Sequence, residues 1–270
     1  MERALTLHQL CLRDVAPAEL PGIAAAVGLA SVSVFVMPPS PKLDIFPRIE
    51  PGQGLRDFTA ACRTHAVGVH NIEVFSVEPD TDIADFNAAL DMGAEIGARR
   101  LTALVQDPDM ARARDRMSAL AEAAAARGIA VSVEFMKFSE LRSIGAGERF
   151  IAEAGHPNLT LLVDPLHLLR TGGSVADLAA TDRRAIGAAQ ICDGPLRAPA
   201  NPFGEAVENR GIPGEGEFPL PEFLAALPAG CPVDIEVPLK RFADAGISPL
   251  DRAKRLVAAT RALLPEPAGA

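Results

Sequence analysis

Three carboxylic acids and one amide end four successive apolar runs in the second half of the chain: Glu134 in VSVEF, Asp164 in LTLLVDPLH, Gln190 in IGAAQICD and Glu236 in PVDIEVP. Alternation with period two puts Ser132 with Glu134, Leu162 with Asp164, Ala188 with Gln190 and Asp234 with Glu236 on one face of each run. If the runs are neighbouring strands, the four groups point into one region. Gathering three acids in a partly dry place is unfavourable, because the charges repel and each loses hydration worth several kcal/mol. A divalent cation compensates directly, and oxygen donors from Asp, Glu and Gln suit Mg, Mn or Co, with Zn also possible. An internal Arg or Lys would serve instead, but none of these four runs carries one at the matching parity. The chemistry open to such a centre is proton abstraction beside a carbonyl, with the cation stabilising the enediolate.

Other polar residues cluster around this set. His167 follows Asp164 by three residues, where its imidazole reaches the site or orients Asp164. His8, on the first apolar run, and Glu73, on the third, are second-tier candidates at the rim of the same cavity. Arg210 opens the segment RGIPGEGEFPL, a Gly- and Pro-rich turn ahead of a helix, and could clamp a substrate carboxylate through two parallel hydrogen bonds. Together with Arg197 and Lys137 near the mouth, it favours an acidic small-molecule substrate.

Residues of this kind must be held by elements, and the chain supplies them at intervals of about 30 residues, the spacing of repeated βα units. Eight apolar or β-branched runs start at Leu5, Ser31, Val67, Arg99, Ile129, Leu159, Ile186 and Pro232. Near-continuous apolar runs are those of parallel strands buried on both faces. Eight such units predict a single (β/α)8 barrel spanning residues 1–270, close to the roughly 250 residues typical of that fold. Helix boundaries are legible too. Ser248-Pro249-Leu250-Asp251 starts a helix whose inward stripe is Leu250, Ala253, Val257, Thr260 and Leu264. The Ala-rich helix around residues 119–128 stops at Gly128, and the tail PEPAGA, residues 265–270, reads as frayed. Two long loops, residues 37–54 and 194–217, follow strand C-termini and are candidate walls of an active site.

Composition excludes other classes. A net charge of −9 repels nucleic acid and anionic membranes. No run reaches 18 apolar residues, and the N-terminus lacks the stretch of a secretory signal, so neither membrane insertion nor export is expected. Four dispersed cysteines without a CxxC pair fit a reducing cytoplasm. There is no Walker-type loop and no GxGxxG, which argues against a nucleotide cofactor. Assembly into a homo-oligomer stays open.

Taken in order, Glu134, DPLH (Asp164, His167), QICD (Gln190, Asp193), PGEGEF (Pro213 to Phe218) and IEVP (Glu236) resemble the xylose isomerase-like TIM barrels, the sugar phosphate isomerase/epimerase superfamily, over nearly the whole chain. The resemblance implies that Glu134, Asp164, Gln190 and Glu236 bind one metal, that the two Glu flank the substrate carbon as acid and base, and that the PGEGEF segment closes over the site. The third ligand is often His in that family. Gln190 there resembles hydroxypyruvate isomerases and some bacterial 3-dehydroshikimate dehydratases. The expected function is therefore metal-dependent isomerisation or epimerisation of a small hydroxy-carbonyl compound or sugar. A dehydratase of the 3-dehydroshikimate or inosose type, with His167 as acid for the leaving group, is the alternative. An endonuclease IV-like repair enzyme is remote, since it needs a trinuclear metal cluster and a basic groove. A noncatalytic binding barrel would have lost a ligand position, and none is lost.

Overall fold

The computed structural model describes residues 3–39 and 45–264. Its strands are β1 (Leu5–His8), β2 (Ser31–Phe35), β3 (Gly68–Val77), β4 (Arg100–Val105), β5 (Ala130–Glu134), β6 (Leu159–Val163), β7 (Ile186–Ile191) and β8 (Val233–Ile235). Each pairs in parallel with the next, and β8 returns to β1, closing the barrel. All eight expected runs are strands. Six end sooner than their runs do, and for β1 and β6 the reason is local. The chain leaves β1 at His8 for a 3-10 turn, Gln9–Leu12, because the His8 ring accepts the Leu10 N–H at Nδ1, 3.0 Å away. β6 stops at Val163 because Pro165 fixes the first turn of a helix, Pro165–Arg170.

The alternation read from sequence holds in three dimensions. Val131, Val133, Leu161, Val163, Ile191 and Ile235 face outward into the layer beneath the helices and are fully buried. Ser248 caps the last helix, Pro249–Ala262, by accepting the Asp251 N–H at 3.1 Å. Its buried stripe includes Ala253, Val257 and Thr260, while Leu250 and Leu264 are only partly covered. Gly128, at φ +72°, follows the helix Met110–Ala125, a left-handed conformation that glycine adopts without strain. The expected frayed tail, residues 265–270, lies outside the described residues. No described helix is long and apolar enough to cross a membrane. The four cysteines are free.

The barrel interior is polar. At its lower end Arg100 donates to Ser132 Oγ (2.7 Å) and Thr160 Oγ1 (3.0 Å). Higher up, Asn71 and Thr102 donate to Glu73 Oε1 at 2.8 and 3.0 Å. Asp234 stands at the same level as Gln190 on the adjoining strand and is buried, with the Ser33 hydroxyl as its polar neighbour but no hydrogen bond of good geometry among the described residues. Burial pushes its carboxyl up to about 7, against the pull of His8. An acid whose pKa is about 3.9 unfolded but about 7 folded costs nothing below pH 4 and progressively more stability as the pH rises towards 7. Asp234→Asn, in chelator, should therefore gain on the order of 2 kcal/mol of unfolding free energy above pH 7, and the gain should vanish near pH 4. Denaturant titrations across that range check it, and a pH-independent difference would contradict it.

Candidate metal centre

Strand parity and strand ends bring the four predicted groups together at the C-terminal mouth of the barrel. Glu134 ends β5, Asp164 and Glu236 directly follow β6 and β8, and Gln190 lies one residue before the end of β7. All four are buried. One terminal atom of the Gln190 amide stands 3.1 Å from Glu134 Oε1, 3.2 Å from Glu236 Oε2 and 3.3 Å from Asp164 Oδ2, and the other lies 3.5 Å from Glu73 Oε1. With nitrogen inward, the amide donates to the three carboxylates. With oxygen inward, it completes a ring of four oxygens that only a cation can hold together, while its nitrogen turns to Glu73. The donor chemistry therefore fits a hard divalent ion.

Asp164 divides its two oxygens. Oδ1 accepts the Leu166 N–H at 2.7 Å and caps the helix Pro165–Arg170, while Oδ2 faces the site. Asp164 thus caps a helix and faces the site with one side chain. Burial opposes the charge on Asp164, but Arg210, His167 and the Leu166 N–H outweigh it and lower its pKa.

The chain does supply an internal cation, from a loop rather than a strand. Arg210 Nη1 lies 2.7 Å from Asp164 Oδ2 and 2.6 Å from Glu236 Oε2, and also donates to the Glu236 carbonyl at 3.1 Å. Its Nε donates to the Ala206 carbonyl at 2.9 Å. This corrects the expected role: the guanidinium binds two site carboxylates and presents no free fork to a substrate carboxylate. Arg197 and Lys137 are exposed and do not line the cavity, so the structure withdraws the basic mouth on which an acidic substrate was expected.

One guanidinium does not balance the site. Glu73, Glu134, Asp164, Asp234 and Glu236 are all buried here, and the basic side chains that meet them among the described residues are Arg210, His8 and His167. Burial and the neighbouring carboxylates push Glu134 well above the usual range, and burial raises Glu236 to about 8 although Arg210 and His8 oppose it. The protein alone therefore holds protons on part of this cluster at neutral pH, and a divalent cation would displace them.

The histidines take distinct places. His167 Nε2 lies 3.7 Å from Glu134 Oε1 and 4.0 Å from Asp164 Oδ2, and burial lowers its pKa to about 4, so the ring is neutral. His8 Nε2 lies 3.0 Å from Glu73 Oε2 and Nδ1 3.8 Å from Glu236 Oε1. Burial works against charge on His8, while Glu73, Glu236 and Asp234 outweigh it and raise the pKa to about 10. The Leu10 N–H already uses the Nδ1 lone pair, so that hydrogen bond and a second ring proton compete for the same atom.

Two parts of the support were not foreseen. Asp193 organises the PGEGEF turn: Oδ1 accepts from Gly194 and Phe218 at 2.8 and 3.0 Å, and Oδ2 from Gly214 and Gly216 at 2.9 and 3.0 Å. A Cβ on Gly216 would collide with that carboxylate, which is why glycine stands there. Arg170, from the helix after β6, grips Glu205 through two bonds of 2.8 and 2.7 Å and fixes the short helix Pro202–Val207 ahead of Arg210. The spacing of QICD and PGEGEF hinted at the first. Nothing in the sequence pairs Arg170 with Glu205.

The chain belongs to the xylose isomerase-like TIM barrel family, whose model matches residues 22–262. Solved structures share the fold at low identity. One is the IOLI protein with a bound zinc atom, 16% identical, with a TM-score of 0.78 over 96% of this chain and 97% of that one. Another is the D-allulose 3-epimerase of Methylomonas sp. in complex with D-allulose, 16% identical, with a TM-score of 0.70 over 97% of each chain. A third is a fusion of a xylose isomerase-like TIM barrel with a 4-hydroxyphenylpyruvate dioxygenase, 19% identical, with a TM-score of 0.73, of which this chain spans 46%. No curated protein matches the sequence.

If Arg210 and a divalent cation share the task of neutralising the carboxylates, Arg210→Met should lose about 3 kcal/mol of stability in chelator, the cost of leaving buried charge unpaired. Saturating Mn2+ should recover most of the loss. Thermal unfolding in both conditions checks this, and an equal loss in each would contradict it.

Proposed function

We propose that this protein is a divalent-metal-dependent isomerase or epimerase of a small hydroxy-carbonyl compound, moving a proton at a carbon next to the carbonyl. The observation that carries the reading is the approach of Glu134, Asp164 and Glu236 to one atom of the Gln190 amide within 3.1–3.3 Å. Family membership supports it, as do the zinc atom of the IOLI protein and the D-allulose of the epimerase complex, both on the same fold.

A bound divalent ion would supply Lewis-acid polarisation of the substrate's carbonyl and neighbouring hydroxyl oxygens. The remaining work falls to side chains. Glu134 and Glu236 stand on strands separated by two others in the ring, and so approach a substrate carbon from different sides. One removes the proton and the other returns it, and burial, by raising their pKa values, makes both stronger bases than a solvated carboxylate. Glu134, Asp164, Gln190 and Glu236 would hold the ion, and Arg210 keeps Asp164 and Glu236 in place. His167, neutral and on the cavity wall, is suited to a hydrogen bond with a substrate oxygen. Dehydration ranks second, because it needs an acid at the departing hydroxyl and burial keeps His167, the acid expected for that step, in its neutral form.

The test is solvent exchange in D2O with the Mn2+-loaded protein, offered hydroxypyruvate, 3-dehydroshikimate and a panel of hydroxyketones and ketoses. Deuterium incorporation beside a carbonyl supports the isomerase. Growth of ultraviolet absorbance from a conjugated product would assign the lyase instead. Glu134→Gln and Glu236→Gln should each cut exchange by roughly 100- to 10,000-fold while circular dichroism stays unchanged. Full exchange in either variant would remove that residue from the proton path.

A further inference from the structure

The cavity above the carboxylates has a volume of about 390 Å³, and its polar groups are concentrated at the floor, where Glu73, Glu134, His167, Arg210 and Glu236 line it. Its upper part is largely carbon. Leu10, Phe35, Val74 and Leu104 form a buried cluster of their own, with Phe46 and Met136 packed against it. Phe35 and Phe46 stack with centroids 4.7 Å apart and planes 11° from parallel. Phe138 and Phe203 also line the cavity, edge to face at 5.9 Å, and each is 40% exposed, unusual for so large an apolar side chain. In a ring of eight strands β2 stands across from β6, so the Phe35 pair and the Phe138 pair, carried by the loops after β5 and β7, face each other over the floor.

A polyhydroxylated chain would find few partners on these walls. Ser76 uses its hydroxyl on the Pro39 carbonyl at 2.6 Å, which leaves Gln106 and Glu78, among the described lining residues, as the polar side chains above the floor. A phosphate would find no free cation among the described lining residues, since Arg210 is held by Asp164 and Glu236. A flat apolar group, by contrast, would bury its faces against phenylalanine rings, an arrangement that aromatic side chains favour.

We propose that the substrate is an unphosphorylated hydroxy-carbonyl compound bearing a planar, ring-sized apolar group, its oxygen-rich head on the carboxylate floor and its ring between the Phe35–Phe46 and Phe138–Phe203 pairs. This rests on the reading of the floor as a divalent-metal site, and the experiment separates the two. Mn2+-loaded protein is titrated calorimetrically with benzohydroxamate and with glycolohydroxamate, chelators that share a metal-binding head and differ in an aromatic or a hydroxymethyl tail. Each affinity is referred to that for free Mn2+, and Mn2+ retention is followed in the same samples by electron paramagnetic resonance. Benzohydroxamate should bind on the order of 30-fold tighter, about 2 kcal/mol at 1.4 kcal/mol per tenfold. Phe138→Ala and Phe203→Ala, at half-exposed positions where the fold tolerates truncation, should reduce that preference to below about fivefold and leave glycolohydroxamate and Mn2+ binding unchanged. Equal affinities, a preference for the polar tail, or an aromatic preference untouched in both variants would overturn the proposal while Mn2+ stays bound. A protein that takes up no Mn2+ would overturn the metal reading, and this inference with it.

Discussion

Like charges confined in a place with little water set the terms for everything else in this barrel. Glu73, Glu134, Asp164, Asp234 and Glu236 share an interior from which solvent is nearly excluded, and the cost of that arrangement must be met by positive charge, by protons or by both. The chain provides one guanidinium, drawn from outside the strands, and leaves Glu134 and Glu236 with raised pKa values. A protein that needed only a stable core would fill this space with apolar side chains, as it does on the outer face of every strand. In the function proposed, that surplus of negative charge is what a divalent ion would answer, and what would make the same carboxylates effective bases.

The scaffold serves this constraint by holding groups that would otherwise move apart. Asp164 is fixed by capping a helix, with Pro165 ensuring that the helix begins there. Arg210 is positioned from both sides. The Arg170–Glu205 pair anchors the short helix before it, and the four backbone N–H groups gathered by Asp193 stiffen the turn after it. Above the floor the same loops change character and present phenylalanine. The site thus joins a charged, nearly dry base to a carbon-rich mouth, and the two halves ask different things of one ligand.

Much of this was legible in the residues because strands impose a strict period of two. Once eight runs were counted, the inward direction of Glu134, Asp164, Gln190 and Glu236 followed from their neighbours, and the closed parallel barrel followed from the count. Features fixed by long-range packing were not legible. Arg210 was visible as a conspicuous residue in a glycine-rich loop, but whether its guanidinium turned outward to a substrate or inward to Asp164 depends on a tertiary approach that local spacing does not encode. Arg197 and Lys137 show the converse: proximity to a strand end in sequence did not bring them to the cavity. The role of Glu73 depended on Asn71, Thr102 and His8, residues on three different strands. The aromatic mouth was hidden for the same reason, since Phe35, Phe46, Phe138 and Phe203 are far apart along the chain.

The chemistry proposed for this site depends on the cation. Crystals grown with Mn2+ and measured at the manganese absorption edge would locate it directly. We predict one anomalous peak per chain, within about 2.0–2.6 Å of oxygens from Glu134, Asp164, Gln190 and Glu236, with the Gln190 amide oxygen turned inward. Electron density showing the four side chains closed on one another around Arg210 with no anomalous peak among them, at saturating Mn2+, would contradict it.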